Sequence, residues 1–383
     1  MKKTFAGFLA FVLMFSMSIS AYAAGPTSAS KISAEDQRFV ESMKNVIADW
    51  ESPRTIASIK PVLDFAGNEY TVVECSPVGY IIFNNEAALI LESSESSPSP
   101  YLGLSGPLYY AGPTHYYSYN PVDNTYSHSV LNKELSLNEI EARVEVCRSA
   151  QIELLKQTDS ELKAYLESGI SASNNVSRSS STDNTYVGDN KDFFVDMDTA
   201  EEMSYWATGN GACGYVASSI VLLYYHNFHD DNIIDTETYP LTENTNGDYF
   251  SGEDFTAYLY QTIGVNTLGY SNSLNANKVA TVMRTYLSND RDITVNTWYA
   301  NMPSVSTVIS HLGQDRPVVY VDRWNDPSRS GGATTDHDIV VYGYNSSNNK
   351  LIAHFGWEGY THIEATSGAL ALFISSACCI TTY

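Results

Sequence analysis

The stretch GNGACGYVASSIVLLYYHNF, residues 209–228, places one cysteine among small residues, immediately before a long apolar run. The run predicts a buried helix that begins near Cys213. A helix N-terminus presents unpaired backbone N–H groups and a partial positive charge, which stabilise a thiolate and lower the pKa of the thiol. Cys213 is therefore a candidate nucleophile, and the alternative is a small buried cysteine that caps a core helix.

Other residues of the chain could complete such a site. Gly211 and Gly214 leave the backbone open to a substrate, and the free N–H groups could hold an oxyanion. A nucleophilic cysteine needs a base. His337 is the candidate, because it follows a Gly-Gly loop and begins the predicted strand at residues 337–343. The alternative for His337 is a surface histidine at the end of a strand.

The beginning of the chain has the features of a secretory signal peptide. Lys2 and Lys3 precede an apolar run at residues 5–17, and small residues around Ala23 offer a cleavage site. We therefore assign residues 1–24 to a signal peptide and expect a secreted protein. No later apolar run is as long as the roughly 20 residues that a membrane span needs.

Charge and cysteine content narrow the class of protein further. The chain has 21 basic and 44 acidic residues and a formal net charge of −23, which argues against nucleic acid or an anionic membrane as a partner. Five cysteines are too few for a disulfide scaffold, and their odd number leaves at least one thiol unpaired within the chain. The sequence assigns no disulfide pairing.

The pattern of predicted elements divides the rest of the chain into two parts. Residues 25–168 combine helices and short strands, including a long helix that opens with a capping box at residues 136–139. The tyrosine-rich stretch at residues 101–120 is typical of irregular edge structure. Residues 169–190 are rich in Ser and Asn and predict an exposed linker. Residues 191–383 contain helices first and then consecutive strands, which predicts an α+β domain with an antiparallel sheet or half-barrel.

Three stretches of the second part resemble the papain-like cysteine peptidases, in particular streptopain and the peptidase domains that cleave double-glycine leaders. They are ATGNGACGYVASSIVLLYYHNF (207–228), HDIVVYGYN (337–345) and HFGWEG (354–359). The resemblance implies a papain-like catalytic domain over residues 191–383. The first part of the chain, residues 25–168, resembles a streptopain-type pro-segment, which implies an α+β pro-domain that inhibits the enzyme in cis. The alternative for this part is an accessory binding domain.

The resemblance also implies roles for single residues. Cys213 would be the nucleophile, His337 the general base and then acid, and Trp357 the shield of this pair from water. His354 stands where the family has the residue that orients the base. The family's glutamine, an oxyanion donor about six positions before the cysteine, is an alanine here, and Asn210 is the candidate substitute.

The implied activity is hydrolysis of peptide bonds through a thioester intermediate, with protein or peptide substrates and synthesis as a zymogen. We expect no cofactor and no metal, since His226 and His229 near a helix end match no zinc-binding spacing. Two alternatives stay open. One is a papain-like peptidoglycan amidase or transglutaminase-type enzyme. The other is a non-catalytic exported binding protein whose tyrosine-rich stretch supplies a contact surface.

Overall fold

The structure is a computed structural model that describes residues 34–131, 134–169, 184–197, 212–252, 254–269, 274–325, 333–347, 349–367, 370 and 374–382. The predicted signal peptide lies outside the described residues, as do Asn210, Gly211 and residues 170–183 of the predicted linker. None of the helices in the described ranges is both long enough and apolar enough to cross a membrane.

The first part of the chain begins with a helix, continues as a run of strands and ends in two helices. Its elements are α1 (Ala34–Ala48), β1 (Thr55–Leu63), β2 (Glu69–Ser76), β3 (Tyr80–Asn84), β4 (Leu89–Ser94), β5 (Leu108–Tyr110), β6 (Tyr116–Asn120), β7 (Thr125–His128), α2 (Leu137–Leu155) and α3 (Ser160–Ser168).

The second part places most of its helices before its strands, as the sequence predicted. Its elements are β8 (Asn184–Tyr186), a 3₁₀ turn (Val187–Asp189), α4 (Lys191–Asp196), α5 (Cys213–Phe228), β9 (Leu241–Asn244), β10 (Gly247–Phe250), α6 (Asp254–Tyr258), a π-helical turn (Leu259–Gly264), α7 (Val265–Leu268), α8 (Ala276–Asp290), β11 (Asn296–Asn301), α9 (Val305–Leu312), β12 (Val318–Asn325), β13 (Ala333–Asn345), β14 (Lys350–His354), β15 (Ile363–Thr366) and β16 (Ile374–Thr382).

Fourteen strands of the described residues form one large sheet. The strand order is β11-β16-β12-β13-β14-β15-β4-β3-β2-β1-β5-β6-β7, and β8 pairs with β13 outside this path. The pairs are antiparallel except for the single contact between β1 and β5, which is parallel. The prediction of an α+β fold with an antiparallel sheet is therefore confirmed.

The two parts of the chain meet through the pair β4–β15. Ser93 lies opposite Glu364 and Glu92 lies opposite Ala365. Next to these pairs, the Ser94 hydroxyl donates a hydrogen bond of 2.7 Å to the carbonyl of His362. The sheet of the first part is thus continuous with the sheet of the second.

Helix α5 begins at Cys213, as the sequence predicted, and all its residues as far as His226 are buried. A helix that is apolar on all sides belongs inside a core. α5 packs against β13 on one side and against α8 on another. Its N-terminus is therefore held firmly inside the second part of the chain.

Two predictions about the first part and the linker need correction. The long helix expected after residue 136 is two helices, because the backbone N–H of Lys156 bonds within the last turn of α2 and the Asp159 carboxylate accepts from the N–H of Leu162 in α3. The linker expected at residues 169–190 extends too far toward the C-terminus, since residues 184–186 form β8, which pairs with β13. Ser136 and Glu139 do form the predicted capping box.

The tyrosine-rich stretch is also different from the prediction. Its residues form β5, β6 and their connections, and most of its tyrosine side chains face the core. Tyr101, Tyr110 and Tyr116 are at most 1% exposed. Since these rings are buried, they stabilise the first part of the chain and do not offer the contact surface that the binding-protein alternative required.

Candidate active site

Cys213 is the first residue of α5 and lies directly against β13. Its Sγ donates a hydrogen bond to Oδ2 of Asp338 at 3.5 Å. Gly214 makes this approach possible, because a Cβ at that position would lie 2.6 Å from the same oxygen and 3.0 Å from Leu274. Folding therefore brings together two segments that are far apart in the sequence, and the side chain that contacts the sulfur belongs to the residue after His337.

The pKa of the Cys213 thiol is raised well above its usual range. Burial is the largest cause, and the negative charge of Asp338 is the next. Hydrogen bonds from the backbone N–H groups of Asp338 and Gly214 act in the opposite direction. The expected lowering of this pKa is thus wrong for this conformation, because burial and a carboxylate outweigh the N–H groups at the helix start.

His337 lies in a buried position against the loop that follows β14. Its Nε2 is 2.6 Å from the carbonyl oxygen of Phe355. Because a carbonyl only accepts, Nε2 carries a proton, and in the neutral ring Nδ1 is the basic nitrogen. The ring of Trp357 lies over the imidazole, with 4.4 Å between the ring centroids. His337 thus has a fixed tautomer and an aromatic cover.

A β-bulge occurs in β13 at His337. Val321 pairs with Asp338 and Arg323 pairs with Thr335, so one residue of β12 faces two residues of β13. A bulge interrupts the regular alternation of side chains and changes their direction. The regular alternation of a β-strand does not predict the contact of Asp338 with the sulfur. The available signal was an acidic residue inside an otherwise apolar strand.

His354, predicted at the orienting position, ties the loop after β14 to the end of α4. Its Nε2 donates to the carbonyl of Met197 at 3.0 Å, and its Nδ1 accepts from the N–H of Gly356 at 2.8 Å. The contact that orients the His337 ring comes instead from the carbonyl of the next residue, Phe355. Sequence patterns carry no signal for a backbone group in this role.

Residues of the first part of the chain pack on the same tryptophan. The ring of His128 lies 5.6 Å from that of Trp357, and the ring of Tyr116 lies 6.4 Å from it. Trp357 therefore contacts His337 in the second part as well as β6 and the end of β7 in the first. The first part covers the immediate surroundings of the candidate base.

The remaining candidates do not form a second centre. Nδ1 of His226 accepts a hydrogen bond from the N–H of Ile234, and Nε2 of His229 lies 3.9 Å from Oδ2 of Asp315. Across the described part of the chain, no three His, Cys, Asp or Glu side chains are grouped as a metal site would need. The cysteines are all buried free thiols, namely Cys75, Cys147, Cys213, Cys378 and Cys379.

Comparison with known proteins links the second part of the chain to a peptidase family. Residues 195–362 match the model of the Peptidase C39-like family, and this segment contains Cys213, His337 and Trp357. The match supports the predicted relationship to the papain-like cysteine peptidases. No curated protein matches the chain significantly.

Two solved structures are similar to the chain at 12% sequence identity. A structure described as a C39-like peptidase from Bacillus anthracis has a TM-score of 0.28, and the alignment covers 46% of this chain and 90% of that one. A fragment of prointerpain A from Prevotella intermedia has a TM-score of 0.41, with 84% of this chain and 98% of the fragment covered. The relationship to the family therefore rests on the sequence match.

Proposed function

We propose that this protein is an exported cysteine endopeptidase that acts through a thioester intermediate and is made as a zymogen. One observation carries the proposal: within the family match, Cys213 at the start of α5 contacts Asp338 of β13, the residue after His337. A thiol at a helix start and an imidazole of fixed tautomer are two of the parts that acyl transfer requires.

The proposed reaction assigns one step to each group. The thiol proton of Cys213 passes to Nδ1 of His337, and the sulfur attacks the carbonyl carbon of the substrate. His337 then gives the proton to the leaving amine as the C–N bond breaks. Water hydrolyses the resulting thioester and restores the thiol. The Phe355 carbonyl would hold the ring in place throughout, since it accepts from Nε2.

Two observations support synthesis as a zymogen. Cys213 is only 8% exposed, so a peptide could not reach its sulfur without a local movement. The first part of the chain also packs on Trp357 through His128 and Tyr116. Removal of the first part, by cleavage in the Ser- and Asn-rich residues 170–183, would uncover this region. The features of residues 1–24 support export.

A casein assay on the full chain tests this proposal. We expect hydrolysis only after limited proteolysis within residues 170–183. We expect Cys213→Ala to abolish it and His337→Ala to reduce it by about 10²–10⁴-fold, the usual contribution of a general base. His229→Ala, which changes a histidine near the protein surface, is the matched control and should retain the activity.

The same material distinguishes the alternative functions. Clearing of a peptidoglycan gel in place of casein would favour a cell-wall amidase. No activity on either substrate after complete cleavage, in a protein that stays folded, would contradict the proposed function and favour a non-catalytic protein.

A further inference from the structure

Asp338 is a buried carboxylate that the resemblance to peptidases does not explain. It is 2% exposed and directly follows His337 in β13. A buried charge is costly unless it is hydrogen-bonded, and Asp338 accepts a hydrogen bond from Cys213. The missing side chain of Gly214 leaves the space in which the carboxylate reaches the sulfur. The start of α5 therefore leaves room for the Asp338 carboxylate of β13 beside the Cys213 sulfur.

We propose that Asp338 is a positioning residue that holds Cys213 as a neutral thiol in the resting protein. This inference rests on the proposed function, in which the sulfur is the nucleophile. The carboxylate accepts the thiol hydrogen and fixes the direction of the Sγ atom. For reaction, the proton must leave this hydrogen bond and pass to His337 Nδ1, and the carboxylate must move away from the thiolate that forms.

The charges around the sulfur agree with this role. Asp338 raises the pKa of Cys213, second only to burial, because a thiolate beside a carboxylate is repelled. Asp338 also raises the pKa of the Cys378 thiol on β16, together with burial and the neighbouring Cys379. Backbone N–H groups of Gly214 and Asp338 are the opposing influence on Cys213. After burial, the Asp338 carboxylate is therefore the group that most favours the neutral thiol at this site.

The direct test is the pH dependence of Cys213 alkylation in the full chain. Iodoacetamide labelling is followed by mass spectrometry of the peptide that contains Cys213, between pH 5 and pH 10. In the wild type we expect a midpoint above about 8.5, the ordinary value for a thiol. Asp338→Asn keeps the size and an acceptor oxygen but removes the charge. We expect it to lower the midpoint by about one pH unit or more, which is about tenfold more thiolate at neutral pH.

The control is Glu358→Gln, which removes one negative charge from an exposed position in the loop that carries Trp357. It should leave the labelling midpoint of Cys213 unchanged. An Asp338→Asn midpoint equal to that of the wild type would overturn the proposal. If that variant does not fold, Asp338→Ala, which also removes the charge, takes its place: a lowered midpoint supports the role of Asp338, and a midpoint equal to that of the wild type overturns it.

Labelling and hydrolysis separate this inference from the proposed function. Alkylation needs a reactive sulfur but no peptide cleavage. A lowered midpoint in Asp338→Asn without casein hydrolysis by any form of the protein would retain the role of Asp338 and refute the peptidase. Hydrolysis that depends on Cys213 and His337, with an unchanged midpoint in Asp338→Asn, would retain the peptidase and refute the role of Asp338.

Discussion

At the scale of single residues, Gly214 decides how closely β13 approaches the nucleophile. In a helix, Gly→Ala usually stabilises by about 1 kcal/mol. Here the added Cβ would lie 2.6 Å from Asp338 Oδ2 and 3.0 Å from Leu274, both of them buried. Overpacking of this kind costs about 1–3 kcal/mol. We therefore expect Gly214→Ala to lower the free energy of unfolding by about 1–2 kcal/mol, measured by urea denaturation.

Gly313→Ala is the matched control for this prediction. An added Cβ there would lie 3.5 Å from the carbonyl oxygen of Ile309, which is ordinary van der Waals contact. We expect its free energy of unfolding to change by less than about 0.5 kcal/mol, as for most substitutions at open sites. Equal stability of Gly214→Ala and the wild type would show that Asp338 can retreat from the sulfur at little cost.

The same residues show what the sequence could predict about the site. The position of Cys213 at a helix start follows from its neighbours in the chain, whereas His337, expected at a strand start, lies inside β13, which begins at Ala333. The Asp338 contact depends on a bulge, and the Phe355 contact depends on a backbone carbonyl. Neither contact leaves a local pattern in the sequence. For the same reason the expected direction of the pKa shift of Cys213 is wrong, because burial dominates that pKa.

At the scale of elements, the loop after β14 is the support of the candidate base. His354 holds this loop through Met197 and Gly356, and Phe355 and Trp357 contact His337 from it. His354→Ala would leave two buried backbone groups without their partner, at about 1–3 kcal/mol each. We expect a loss of about 2–6 kcal/mol in the free energy of unfolding, and a loss of casein hydrolysis that follows the loss of folded protein.

The control is His229→Ala, where the side chain is 27% exposed and a change below about 0.5 kcal/mol is expected. The result also separates two roles of His354. If His354→Ala keeps its stability but loses hydrolysis with an altered pH profile, His354 acts on the base itself, as the family resemblance implied. That outcome would contradict a role limited to holding the loop.

The elements themselves were predictable to different degrees. α5 begins at Cys213, where the sequence placed it, whereas β13 spans Ala333–Asn345 and extends beyond the predicted residues 337–343 at both ends. Its pairing with β12 and β14 decides where it ends. Pairing of this kind is decided by neighbouring strands, and a single apolar run does not reveal its ends.

At the scale of the whole molecule, the two parts of the chain are coupled at β4. The sequence predicts a linker between the two parts. It does not identify β15 as the partner of β4, since pairing between distant strands leaves no local signal. Glu92 of β4 lies opposite Ala365 and accepts hydrogen bonds from the hydroxyls of Tyr80, Tyr110 and Tyr116. Tyr116 in turn contacts Trp357. A charge on Glu92 would therefore affect both parts.

This coupling predicts how the stability of the whole protein depends on pH. Burial raises the pKa of Glu92 from 4.5 to about 7, although the three tyrosine hydroxyls oppose the rise. The folded state thus binds this proton more tightly than the unfolded state does. The stabilisation is fully present below about pH 4.5 and is lost as the pH rises through about 7, a change of about 3 kcal/mol. Because other groups also titrate, the contribution of Glu92 appears as a difference between variants.

Urea denaturation between pH 4.5 and pH 8 measures that difference, with Trp fluorescence and far-UV circular dichroism as two readouts. Over this range we expect the wild type to lose about 3 kcal/mol more than Glu92→Gln, which cannot ionise. Glu358→Gln, at an exposed position, should follow the wild type. The two readouts should give the same midpoint, because the parts share one sheet. Parallel pH curves for the wild type and Glu92→Gln would mean that water or a rearranged partner stabilises the Glu92 charge, and the coupling through this carboxylate would then be absent.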